Sequence, residues 1–258
     1  EEASKMERGV SQMLNVTARQ DLMSKIIETL GVVVEDARFD FVEGELEVRV
    51  VDPSHVAMIQ MNIDAAAFDT WEVDESKLGL EIRKIRELVS LGAANDLIEM
   101  AFNKESGVVT LNLGKIDRNI RPLDDSTMNV PTLPNLDLPC KVKLTGADFA
   151  QALKAAKQVG DLVNFSIDAN TFTVHVQGST DSVTVAFHKD ELQSLECENP
   201  ARSQYSLTYL VPMAKVFGPL ETVEVGFGEN YPLSMKFAFH DGAANVQYFL
   251  APRVENDY

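Results

Sequence analysis

The residues of this chain with types suited to chemistry are four histidines, two cysteines and one pair of adjacent aspartates. Zinc sites need ligands at fixed spacing, so that two of them meet one ion from a single turn or helix face. His55, His175, His188 and His240 form neither an H-x-x-x-H pair nor a cluster with cysteine. Cys140 and Cys197 are far apart in sequence, fit no metal spacing and read as isolated thiols of a reducing compartment. Gly226-Phe227-Gly228 starts like a dinucleotide loop, but Tyr231 stands where a third glycine belongs. No phosphate loop of the form G-x-x-x-x-G-K-S/T and no G-x-S-x-G elbow occurs. An acid and a base acting together need burial to separate their pKa values. Asp124-Asp125 lies in a polar stretch and reads as two solvated acids. His55 follows Val50-Val51-Asp52-Pro53-Ser54, a strand running into a turn, and reads as a turn histidine. The expectation is no catalytic residue, no metal and no cofactor.

Composition points to a folded chain: 258 residues, 45% hydrophobic and 24% charged. No apolar run reaches the roughly 18 residues of a membrane span. Glu1-Glu2-Ala3-Ser4-Lys5 lacks the basic start and apolar core of a signal peptide. The net charge is −17. Taken over the whole molecule this opposes nucleic-acid binding, whose affinity comes from Lys and Arg on phosphates. An acidic protein can still place cations on one face.

The elements repeat. In Asp21–Leu30, Leu22, Ile26 and Leu30 make one helical stripe, stopped at Gly31. Strands follow at 38–42 and 46–50 around Glu43-Gly44, then at 56–63 and near Trp71. A second helix fits 83–91, before strands at 97–102 and 108–113. The second half has a helix at 148–157 and strands at 165–167, 171–176 and 182–187. A helix near 210–217 then precedes strands at 223–227, 233–240 and 244–250. Pro212 would break a helix interior and fits a first turn. The offset is nearly constant: Asp21 to Asp148 is 127 positions, as is Leu80 to Leu207. A duplicated α+β domain accounts for this. The predicted division is a loose tail at 1–12, a first domain at 13–121, a connector at 122–139 and a second domain at 140–258. The connector is rich in Pro, Asp, Ser, Thr and Asn.

Three runs in register carry a family resemblance. Asp52-Pro53-Ser54-His55-Val56 resembles the D-x-S-H-V segment of archaeal and eukaryotic sliding clamps of the proliferating-cell-nuclear-antigen type. Phe68-Asp69-Thr70-Trp71 resembles their F-D/E-x-Y strand, with Trp as the aromatic. Leu250-Ala251-Pro252-Arg253 resembles their C-terminal L-A-P-K/R. The likeness runs from about Met13 to Glu255. It implies a ring of three two-domain subunits, homotrimeric by default and heterotrimeric in some cases, with helices lining the hole and sheets outside. It further implies double-stranded DNA held without sequence preference, and no membrane. The implied clients are DNA polymerase, the clamp loader replication factor C, flap endonuclease and ligase, docked through clamp-binding peptides. The implied location is the cytoplasm or nucleoid of an archaeon or the nucleus of a eukaryote.

From these readings Lys25, Arg83, Lys84, Arg86, Lys154, Lys157 and Lys215 are expected to face the hole. Lys154 and Lys157 share a helix face. Positions that are basic in familiar relatives are Gly31, Glu87, Ser90 and Thr208 here. The resemblance places a peptide groove at His55, Val56, Met58, Val130, Leu133, Pro134, Leu138, Pro232, Leu233, Phe249, Leu250, Ala251, Pro252 and Val254. Val130, Leu133, Leu136 and Leu138 are also apolar residues in a polar connector, as a peptide site requires, and pinning the connector to its domain would use them equally. Val109, Leu111 and Leu113, with Val183 and Val185, alternate in runs without internal charge and are expected to pair as edge strands between subunits. Two other readings stand beside the clamp: an interaction scaffold never loaded on DNA, and an enzyme with an unrecognised site.

Overall fold

A computed structural model describes residues 13–254; the tail expected at 1–12 lies outside them. The chain divides into two compact units, one running to Val50 and resuming over Met61–Val130, the other formed by Val51–Gln60 and everything from Pro131. The connector is therefore split at Val130, and the Asp52 turn belongs to the second unit.

The first unit contains β1 (Met13–Arg19), α1 (Gln20–Gly31), β2 (Asp36–Val42), β3 (Glu45–Val51), β5 (Thr70–Val73), β6 (Ser76–Glu81), α2 (Ile82–Val89), β7 (Leu97–Asn103), β8 (Val108–Leu113) and β9 (Ile116–Ile120). β4 (Ala57–Asp64) carries the division between units. The second unit follows with β10 (Cys140–Leu144), α3 (Gly146–Lys157), β11 (Leu162–Ile167), β12 (Thr171–Gln177), β13 (Ser182–His188), β14 (Ser194–Cys197), β15 (Ala201–Ser206), α4 (Leu207–Phe217), β16 (Val223–Phe227), β17 (Leu233–Phe239) and β18 (Ala244–Leu250). The duplication is complete. α1 starts at 20 and α3 at 146, an offset of 126, and β2 at 36 and β11 at 162 give 126 again. The strand order β5-β1-β7-β8-β9 recurs as β14-β10-β16-β17-β18. All neighbours described residue by residue are antiparallel, including β1 with β7 and β11 with β12.

Local sequence explains these elements. β3 and β12 alternate buried and half-buried side chains, as a strand with one face on the core must. In α1 the stripe Leu22, Ile26 and Leu30 is fully buried. α3 starts at Thr145, whose hydroxyl accepts from the Asp148 amide at 3.2 Å. Its first residue must be glycine, because a Cβ on Gly146 would overlap the Phe217 carbonyl oxygen of α4. That approach packs α3 on α4 over an aromatic core: Phe149 lies 5.5 Å from Phe217 and 5.9 Å from Phe165. Each such buried ring contributes about 1.5–3 kcal/mol. In the first unit Phe68 and Trp71 of the F-D-T-W run meet at 4.9 Å.

Two expectations need correction. β6, β9, β10, β14 and β15 were absent from the expected elements; they are short or polar, as in Ile116-Asp117-Arg118-Asn119-Ile120. α4 begins three residues earlier than expected, so Pro212 lies in its second turn, exposed, with no N–H for the Thr208 carbonyl. Asp124 is exposed, yet its carboxylate caps a one-turn helix by accepting from the Ser126 amide at 3.0 Å. The Ser126 hydroxyl, then its amide, hold that carboxyl below the usual range.

Candidate functional site

The D-P-S-H-V turn is built by one carboxylate. Asp52 is buried, and its Oδ1 accepts from the amides of Val56 at 2.6 Å and Ala57 at 2.8 Å. Its Oδ2 accepts from the Ser54 amide at 3.1 Å and the Tyr209 hydroxyl at 3.4 Å. The arrangement holds His55 exposed in the left-handed region, at φ 57°. For a non-glycine residue that conformation is uncommon and needs support. The C-terminal run is anchored beside it: the Ala251 amide donates to the Val56 carbonyl at 2.9 Å, and the Arg253 amide to Gln204 at 2.8 Å. β17 carries Leu233 opposite Leu250 of β18. Below them, Tyr205 donates to the Tyr231 carbonyl at 2.6 Å, and burial raises its phenol well above the ordinary value. His55, Val56, Met58, Pro232, Ala251, Pro252 and Val254 reach the surface of the second unit, and Val254 is 58% exposed. Leu133 and Pro134 are half-buried in the same unit.

Four residues expected to line this surface belong beneath it. Leu233 and Leu250 are fully buried, and Phe249 and Leu138 nearly so. They are apolar because they fill the core under β17 and β18, so they support the surface without offering it. Val130 closes the first unit. Tyr231, 46% exposed next to Pro232, was not among the expected residues.

The helix cations divide by partner. Arg83 pairs with Glu87 and Lys84 with Glu81 on α2, and Lys157 pairs with Asp161 after α3. Lys25, Arg86, Lys154 and Lys215 have no carboxylate partner among the described residues. On α3, Gln151, Lys154 and Lys157 are exposed while Phe149, Leu153 and Ala156 are buried, so both lysines do share the solvent face. Gly31 leaves the space that the Arg86 guanidinium fills, since a Cβ there would overlap Nη2. Glu87 accepts from Arg83 and, at 2.8 Å, from Arg118 of β9. Arg118 first, then Arg83, hold the Glu87 carboxyl below its usual range.

The edge strands differ from expectation on one side. β8 lies between β7 and β9. Val109 and Leu111 are fully buried and Leu113 nearly so. A strand with both neighbours present has no ladder left to offer, so Val109, Leu111 and Leu113 are core residues. Among the described residues the free edge is β9, where Ile116 is 43% exposed. On the other side β13 has β12 as its only neighbour among the described residues, and Val183 and Val185 are half-buried. Counting the repeat would have found β9. β18 follows β17, so a strand had to follow β8.

Among the described residues no group of three or more His, Cys, Asp or Glu side chains is placed to hold a metal ion. Residues 13–130 match the family description "Proliferating cell nuclear antigen, N-terminal domain", and residues 132–253 match its C-terminal domain. The chain belongs to the proliferating cell nuclear antigen family. A DNA polymerase sliding clamp of Methanosarcina acetivorans is 32% identical over 246 residues, covering 95% of this chain and all of that one. A clamp of the same description from Haloarcula marismortui is 30% identical over 248 residues, with the same coverage. Among solved structures, the A. fulgidus proliferating cell nuclear antigen bound to the C-terminal region of FEN-1 superposes with a TM-score of 0.88 at 28% identity, covering 95% of this chain and all of that chain. The PCNA2–PCNA3 complex of Sulfolobus tokodaii gives 0.81 at 26%, covering 93% and 100%. In this family member the two matched domains meet at the same place as the compact units, 130–132.

Proposed function

We propose that the chain is one subunit of a three-membered sliding-clamp ring, homotrimeric by default, that encircles duplex DNA and tethers polymerase, flap endonuclease, ligase and clamp loader through their clamp-binding peptides. It performs no chemistry itself. The observation that carries the reading is the pair of vacant edges within the duplicated fold. β18 has β4 as its outer neighbour, and the first residues of β4 belong to the same compact unit as β18. By the repeat, β9 corresponds to β18 and β13 to β4, and among the described residues both lack that neighbour. Pairing β9 of one copy with β13 of the next repeats a junction the chain already makes. Such a head-to-tail contact closes into a ring when the angle permits. The relatives' description as polymerase sliding clamps and the FEN-1 peptide on a structural neighbour support the client assignment.

Topology supplies the test. Loaded by a clamp loader on nicked circular DNA, the protein should stay bound through gel filtration at high salt and leave when the circle is cut once. Salt screens phosphate contacts but cannot open a ring. Equal loss from intact and linearised circles would overturn the reading.

Contact with DNA should come chiefly from the cations without partners. Lys154→Glu with Lys215→Glu should weaken residual binding to linear duplex more than Arg83→Glu with Lys157→Glu, whose native charges are already neutralised nearby. Each phosphate contact contributes a slope of about −0.9 in log K against log salt. The first pair should therefore flatten the slope by about two and the second by less. Equal slopes for the two pairs would exclude this division. Glu87→Gln should act oppositely: it frees Arg83 and Arg118, so affinity rises and the slope steepens by up to about one per guanidinium that reaches a phosphate. Fluorescence anisotropy across a salt series measures all three.

A further inference from the structure

Cys140 and Cys197 stand 57 positions apart, yet the fold makes them direct partners. Cys140 opens β10 and Cys197 closes β14, opposite each other in the antiparallel register. Directly opposed residues in such a ladder have Cα atoms about 4.5–5.5 Å apart, inside the span of about 4.4–6.8 Å that a disulfide bridges. The sulfurs are 3.9 Å apart, and both approach one acceptor, the Asn199 carbonyl oxygen, Cys197 at 3.1 Å and Cys140 at 3.7 Å. Closing to a bond of about 2.05 Å needs a movement within reach of side-chain rotation and a small shift of backbone. The backbone can supply that shift on one side. β14 is a four-residue strand at the edge of its sheet, while β10 is held between β14 and β16.

We propose that Cys140 and Cys197 form a reversible oxidation site, a cross-strand thiol pair that a peroxide converts into an intrachain disulfide and a dithiol restores. The two sulfurs have different exposure and therefore different roles. Cys197 is half-buried at the sheet edge and meets the oxidant. Cys140 is fully buried, and burial with Cys197 beside it pushes its thiol up to about 12, so it stays protonated and inert until a partner sulfur becomes electrophilic. In the first step the Cys197 thiolate attacks one peroxide oxygen, the O–O bond breaks, and hydroxide leaves. Cys197 is then a sulfenic acid, oxidised by two electrons. In the second, Cys140 gives up its proton and attacks the Cys197 sulfur. The S–S bond forms, the S–O bond breaks, and the oxygen leaves as water. The balance is two thiols and one hydrogen peroxide giving one disulfide and two waters. A dithiol reverses it by exchange and is itself oxidised.

The pair lies where a bridge has mechanical meaning. Cys140 follows Leu138 and Pro139 directly, and Leu138 rests against Gly226 of β16, where a Cβ would approach it to 2.9 Å. A bridge would fix the edge strand to the strand on which the connector ends.

The test uses the full-length chain. Reduced protein is treated with hydrogen peroxide, quenched, denatured, alkylated and digested without reductant. Free thiols should fall from two to none, with Cys140 and Cys197 peptides linked in material that runs as one chain on a non-reducing gel. Dithiothreitol should restore both thiols. In Cys140→Ala the Cys197 sulfenic acid has no resolving partner, so it should persist and be captured by dimedone. Dimedone capture at Cys197 of the native chain without a linked peptide would overturn the proposal. So would two unreacted thiols, or a bridge found only between chains. The native peptide map decides even if the alanine variant does not fold.

Discussion

Glutamate at both Val183 and Val185 should reduce the assembly from three chains to one. The two valines lie on β13, half-buried in the single chain, at an edge whose ladder groups have no partner strand beyond β12 among the described residues. In a ring they are covered by β9 of the next copy, where Ile116 supplies apolar surface. Each valine lost from that contact removes about 1.5 kcal/mol. Two give about 3 kcal/mol per junction, or roughly a hundredfold in its dissociation constant. Desolvating two carboxylates opposes association further. Val183 and Val185 share the face of β13 that carries the buried Phe187 and stand opposite the buried Val176 and Val174, so the fold is measured beside the mass. Sedimentation equilibrium at micromolar concentration should find one chain where the native protein has three, with unchanged far-ultraviolet circular dichroism. Ile116→Asp should do the same from the other side. A variant that keeps the mass of three chains removes β13 from the interface. A native chain that is itself monomeric, but assembles when unlike family subunits are added, identifies a heterotrimer.

Much of the fold was legible because burial imposes periodicity. Leu22, Ile26 and Leu30 announce α1, and Leu46, Val48 and Val50 announce β3, because one face of each must leave water. β9 and β15 escaped for the opposite reason. Ala201-Arg202-Ser203-Gln204-Tyr205-Ser206 buries Ser203 and Ser206 together with Tyr205, and its place is fixed by pairing with β11. That tertiary cause leaves no apolar alternation in the letters. The candidate site shows the same limit. Phe249 and Leu250 stand beside Ala251 and Pro252 in the chain, but only the latter pair reaches solvent, because β18 turns its last residues into the core. Nor does sequence reveal which cations are already neutralised. Lys157 and Lys154 look equivalent until Asp161 is seen to pair with one of them. The thiols are the extreme case, 57 positions apart and within 4 Å through register alone.

Loss of one carboxylate should cost the clamp its clients. Asp52→Ala removes the acceptor of three amides, two of them half-buried and that of Ala57 buried. Hydrogen bonds to a charged group contribute about 1.5–3 kcal/mol each, and water can replace those at the surface. The expected loss of stability in the second unit is therefore about 2–4 kcal/mol. The effect on binding follows from geometry. His55 holds its left-handed conformation because the turn around Asp52 is closed, including its own amide on the Asp52 carbonyl at 2.9 Å. Once the turn opens, His55 relaxes to negative φ, and Val56 and Met58 move away from Ala251 and Pro252. A peptide with the glutamine-plus-aromatic clamp-binding motif then loses one wall of its site, and affinity should fall about tenfold or more, the equivalent of burying one fewer aliphatic side chain. Asp52→Asn keeps one oxygen for Val56 and Ala57 but turns an amide group toward the Ser54 amide and the Tyr209 hydroxyl, so it should fall between alanine and the native residue. Leu133→Ala with Pro252→Ala should lower affinity comparably with a smaller change in Tm, since both side chains are partly exposed. Isothermal titration beside thermal melts separates the cases. If Asp52→Ala stays folded and binds the peptide as the native chain does, the turn does not shape the groove. If the Leu133, Pro252 variant also binds normally, the groove lies elsewhere on the second unit.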